Sequence, residues 1–131
     1  ENVWQRHERL AGAIWAACEA WAQGGPLTMN VADPAHRSHA VTALRLGAPH
    51  GTALRNFTEH EAGVTLGIGL GMSEPDDPRG DGFFRIGHMG HVNAHMVLGT
   101  LASMQSGFDA LDLPDGAGAL DQAAKALSGR E

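Results

Sequence analysis

At 131 residues the chain fits one domain, large enough to enclose a modest core and too short for a second. Nine Lys plus Arg against fifteen Asp plus Glu give a net charge of −6, which argues against non-specific attraction to nucleic acid or anionic lipid. The single cysteine, Cys18, excludes an internal disulfide, favours a reducing, cytoplasmic setting, and reads as a packing residue of the first helix.

Val3, His7, Leu10, Ile14, Cys18 and Trp21 recur at three- and four-residue steps, widened by Trp4, Ala11, Trp15 and Ala22. That period predicts a long amphipathic helix, capped at Asn2 and stopped by Gly24, Gly25 and Pro26. Leu10 to Ala22 is apolar behind Arg6 and Arg9, as in a secretory signal, but Glu19 and the helical period argue against one. No run reaches membrane-spanning length. The chain opens directly on this helix and is expected to be part of a longer polypeptide.

Thr28 to Pro34 reads as linker, and His39 to Leu46, with Val41, Thr42, Leu44 and Leu46, as a strand. Thr52 to Ala62 returns to a helical period through Leu54, Phe57 and Glu61, with Gly63 as its stop. Val64 to Leu70 is a strand weakened by Gly67 and Gly69. Met72 to Gly82, with two prolines and the acids Glu74, Asp76, Asp77 and Asp81, is a polar loop to a second strand, Phe83 to Gly87. Gly69 and Gly71, almost opposite that strand, would admit a close approach of backbone or ligand. A helix starting at His91 or Asn93 runs to about Gly107, burying Val92, Met96, Leu98, Leu101 and Met104. A last helix covers Ala117 to Leu127 after the turn-rich stretch from Asp112.

The order helix, strand, helix, strand, strand, helix, helix implies an α+β fold. Its small, mainly antiparallel sheet of three to four strands is covered by helices on one face and preceded by a long N-terminal helix. The uncovered sheet face or the first helix would then need another surface, expected to be a partner domain.

In "FFRIGHMGH", residues 83–91, strand alternation sends Phe84 and Ile86 to one face and Phe83, Arg85 and Gly87 to the other. The residues alone leave Arg85 two roles: an edge arginine paired with a loop acid, or a guanidinium held for an anionic ligand. A guanidinium matches a carboxylate through two parallel N–H donors, which fixes orientation as well as charge.

The chain resembles the C-terminal small domain of class V (fold-type I) pyridoxal-phosphate aminotransferases, in the alanine–glyoxylate and serine–pyruvate branch. The resemblance rests on "WQRHERLAGAIWAACEAW", "HAVTALRL", "VTLGIGLG" and above all "FFRIGHMG" leading into a helix, and it covers nearly the whole chain. It implies that Arg85 binds the carboxylate of the amino or keto acid. It further implies an interdomain helix at 1–24, a sheet-and-helix body at 25–131, and an absent large domain that binds pyridoxal 5'-phosphate. The implied substrates are a small amino acid (alanine, serine or similar) and a 2-oxo acid (glyoxylate or pyruvate), in a homodimeric, cytoplasmic enzyme. Lys125, the one lysine, has no matching context and reads as solvated, so this chain alone is not expected to transaminate. No catalytic, cofactor-binding or metal-binding residue is assigned within it.

Rival readings are a non-catalytic interaction module, a subunit of a split aminotransferase relative, and a metal site on His88, His91 and His95. His88 fits better as support for the strand-to-helix turn, and His36 and His39 as loop residues. The loop acids lack the alternation of a calcium hand, no serine sits in a nucleophile-elbow context, and "GIGLG" lacks dinucleotide-fingerprint spacing.

Overall fold

The computed structural model describes residues 2–69, 77–88 and 92–129. Helix α1 (Asn2–Ala22) is followed by strands β1 (Thr28–Met29) and β2 (Val41–Arg45), helix α2 (His50–Phe57), and strands β3 (Gly67–Ile68) and β4 (Phe83–Gly87). Helices α3 (Ala94–Ala110) and α4 (Ala119–Ser128) close the chain. The four strands form one antiparallel sheet in the order β1-β2-β4-β3, the α+β architecture expected from the sequence.

The two central strands pair Val41 to Gly87 through Arg45 to Phe83. Their alternation is visible in burial: Thr42, Leu44, Phe84 and Ile86 are buried, whereas Val41, Ala43, Phe83 and Arg85 are half-buried and Arg45 and Gly87 exposed. Of the first set, Leu44, Phe84 and Ile86 belong to an apolar core built with Ile14, Trp21, Leu54, Leu101, Met104 and Phe108 from the helices. Each such side chain contributes roughly 1.5–3 kcal/mol by leaving water. The single-sided sheet therefore follows from the period-two pattern, and it leaves Arg85 on the face turned away from the core.

Close packing between helices depends on missing side chains. Gly116 donates its N–H to the Trp21 carbonyl at 2.9 Å, and a Cβ there would stand 1.9 Å from the Ala20 carbonyl oxygen. Trp21 is locked in place by its indole N–H donating to Gln105 Oε1 at 2.8 Å and by an edge-on contact with Phe108.

Several local expectations change. The linker stretch contains β1, whose two residues are too few to carry a period. Only Gly67–Ile68 of the predicted strand 64–70 joins the sheet among the described residues. Helix α2 begins at His50 and passes into a π turn, Thr58–Ala62, where Glu61 is exposed; Gly63 ends it in the left-handed conformation at φ 74°. Helix α3 continues past Gly107 because that glycine is the crossing point with α2, where a Cβ would lie 2.4 Å from Leu54 Cδ1. Its buried stripe is Val97, Leu101, Met104 and Phe108, which rotates Met96 outward to 48% exposure. Leu70 to Asp76 and Met89 to His91 lie outside the described residues, and with them the expectations for Gly71, Glu74, Asp76 and His91.

Candidate functional site

Arg85 stands at the middle of β4, opposite Ala43 on one side and Gly67 on the other. Its stem lies against the Gly67 backbone: a Cβ added to Gly67 would fall 3.4 Å from both Arg85 Nε and Nη2. The Nε–H donates to the Ile68 carbonyl, which fixes the plane of the guanidinium at the sheet edge. Among the described residues this is the hydrogen bond Arg85 makes, and no acid lies within ion-pair distance of it. Asp77, the loop acid within the described residues that has an ion pair, is taken by Arg79. The edge-arginine role, which needs an acidic partner, thus finds none among the described residues. Gly67 is the glycine paired with Arg85 and in close approach to it, and Gly71 lies outside the described residues.

On the same face Arg45 carries its guanidinium carbon 5.5 Å from the centre of the Phe83 ring, the residue directly across the ladder. It too has no ion pair among the described residues.

The exit of β4 is held from behind by a polar chain. His88 is 1% exposed, with Nδ1 2.9 Å from the His39 carbonyl oxygen and Nε2 2.8 Å from Thr42 Oγ1. Since a carbonyl can only accept, Nδ1 carries the proton, Nε2 accepts from the Thr42 hydroxyl, and that oxygen accepts from the Trp15 indole N–H at 3.1 Å. Burial pushes the His88 pKa below its ordinary value, and the neighbouring His7 and His39 rings act in the same direction against the opposing hydrogen bond to His39. His88 ties the end of β4 to His39 and Thr42, with both its ring nitrogens engaged within the protein; the turn that it was expected to support lies outside the described residues. His95 is exposed on α3, and no group of three metal-ligating side chains occurs among the described residues.

Cys18 is fully enclosed and its thiol is pushed up to about 12, mainly by burial. That fits the packing role and no nucleophilic one. Lys125 is exposed in the last turn of α4. Schiff-base chemistry is favoured by a lysine whose amine is desolvated, and Lys125 is exposed. The residues of this chain therefore do not fit a pyridoxal-phosphate attachment site. No helix among the described residues is long and apolar enough to cross a membrane.

No protein-family model matches the chain. It is 31% identical over 117 residues to the L-aspartate–glyoxylate aminotransferase of Paracoccus denitrificans (strain Pd 1222), a match covering 87% of this chain and 26% of that protein. It is 32% identical over 106 residues to the serine–glyoxylate aminotransferase of Methylorubrum extorquens, covering 80% and 24% respectively. The fold is shared with pyridoxamine–pyruvate aminotransferase from Mesorhizobium loti, with a TM-score of 0.79 and 26% identity over 98% of this chain and 31% of that one. Ureidoglycine–glyoxylate aminotransferase from Bacillus subtilis has the same fold, with a TM-score of 0.77 and 23% identity over 95% and 30%. The chain spans about a quarter of the length of the sequence relatives it matches. The resemblance to class V aminotransferases carried by "FFRIGHMG" is borne out by these relatives and neighbours.

Proposed function

We propose that this chain, homologous to glyoxylate aminotransferases over about a quarter of their length, is the substrate-carboxylate-binding small domain of such an enzyme. Residues 1–24 serve as the interdomain helix and 25–131 as the sheet-and-helix body. Arg85 holds the carboxylate of a small amino acid, such as alanine or serine, and of its glyoxylate or pyruvate partner. The observation that carries this reading is a guanidinium anchored through Nε alone, so that its two terminal nitrogens face away from the core without a protein acceptor among the described residues. Two parallel donors in that state match a carboxylate, and clamping one end of a substrate orients the other.

Pyridoxal 5'-phosphate supplies the electron sink that amino transfer needs, and in this reading a separate large domain holds it. The contribution of this chain is binding and orientation. In this reading the chain by itself is inactive, and the family resemblance implies that the complete enzyme works as a homodimer, placed in the cytoplasm by its lone cysteine. The direct test is an amino-transfer assay of the full-length protein with alanine or serine as donor and glyoxylate or pyruvate as acceptor. Turnover by the full-length protein and none by residues 1–131 is the expected result; absence of turnover with every pairing would overturn the assignment.

A further inference from the structure

The face that carries Arg85 carries a second arginine that the reading above does not use. Ala43 pairs with Arg85 and Arg45 pairs with Phe83, so the alternation of the two strands places Arg45, Ala43, Phe83 and Arg85 on one side of the sheet. Arg45 and Arg85 are diagonal neighbours in the ladder, a relation that puts the two residues about 7–8 Å apart with their Cβ atoms somewhat closer. Ala43 adds almost no bulk on this face. The Phe83 ring steadies Arg45 without neutralising it. In a chain of net charge −6, two guanidiniums on one sheet face both lack an ion pair among the described residues. Like charges so placed repel, and an anion reaching both turns that cost into attraction.

We propose that Arg45 and Arg85 form a two-cation site for a short dicarboxylic acid. Arg85 takes the carboxylate next to the reacting carbon, and Arg45 takes the distal one. The inference rests on the role proposed for Arg85 and extends the donor class from small neutral amino acids to four-carbon acidic ones. Arg45 is thereby a specificity-determining residue, since a substrate with one carboxylate leaves it idle.

The test uses the full-length enzyme with its cofactor. The kcat/KM for aspartate divided by that for serine, and the affinities for the unreactive anions maleate and acetate by calorimetry, are compared in wild type, Arg45→Ala, Arg45→Gln and Arg85→Ala. Arg45→Gln keeps the stem over Phe83 and separates loss of charge from loss of packing. Losing one charge-assisted contact predicts a roughly tenfold to hundredfold fall in the aspartate-to-serine ratio and a similar loss of maleate affinity in both Arg45 variants. An unchanged ratio with unchanged maleate binding in both variants overturns the two-cation site while leaving Arg85 as the anchor. An Arg85→Ala enzyme that keeps its activity on serine and aspartate alike overturns the role of Arg85 itself.

Discussion

Gly67 lies directly across the β3–β4 ladder from Arg85, and the room left by its missing side chain is where the arginine stem rests. A methyl at that point would be in van der Waals contact with Nε and Nη2 at 3.4 Å. A branched side chain would occupy their space. Gly67→Ala should therefore retain carboxylate binding within a few-fold, whereas Gly67→Val should displace the guanidinium and raise the substrate KM by roughly tenfold or more. Steady-state kinetics of the two full-length variants checks this, and equal behaviour of Ala and Val would show that Gly67 does not set the position of Arg85.

The chain of Trp15, Thr42 and His88 ties α1 to the end of β4 three residues beyond Arg85. Thr42→Val preserves the shape and leaves the Trp15 N–H and His88 Nε2 without their partner. The expected cost is about 1–3 kcal/mol of stability, read from denaturant unfolding. A neutral result would mean that these groups find water in place of the hydroxyl.

The same cluster should make the fold sensitive to mild acid. His88 is buried with its pKa depressed, and the titratable groups facing it are His7, whose Nδ1 lies 3.3 Å from the His88 carbonyl, and His39. The unfolded chain takes up a proton here near the ordinary histidine value of about 6.5, whereas the folded chain resists it. The contribution of His88 is therefore complete above that value and is lost as pH falls through the folded pKa. Melting temperatures of wild type should drop between pH 7 and pH 5 more steeply than those of His88→Gln. Parallel curves would show that other groups govern the acid response.

Cys18 should be inert in the folded state, because a thiol held at about 12 carries almost no thiolate at neutral pH. A thiol-reactive disulfide reagent should label it only at the rate of unfolding. Fast labelling of native protein would place Cys18 at a surface and contradict the packing of α1.

Gly116→Ala should be more damaging than Gly107→Ala. At Gly116 the new methyl meets a backbone carbonyl, and at Gly107 the end of a leucine side chain. Overpacking of the second kind costs about 1–3 kcal/mol, and the first requires α1 to shift as a body. Thermal unfolding of the two variants orders them, and a milder Gly116 variant would contradict the close approach of Gly116 to the end of α1.

What the sequence made legible was local. The alternation in "FFRIG" placed Arg85 away from the core, and the three-to-four spacing from Val3 to Trp21 outlined α1, because each pattern repeats within one element. The partnership of Gly67 with Arg85 depends on a register set across an intervening loop, so nothing in "VTLGIGLG" says which glycine meets the arginine. Thr42 and His88 are 46 residues apart and Trp15 a further 27 from Thr42, which leaves no spacing to read. Around the start of α3, Val92–Met96 and Val97–Leu101 both fit a helical face, and packing against α2 and the sheet decides between them.

The measurement closest to the central claim is kcat/KM for glyoxylate in full-length Arg85→Ala and Arg85→Lys. Two charged hydrogen bonds lost to the substrate predict a fall of at least about a hundredfold for Ala. Lys should recover only part of it, because a point charge replaces a planar fork. Wild-type efficiency in Arg85→Ala would contradict the account.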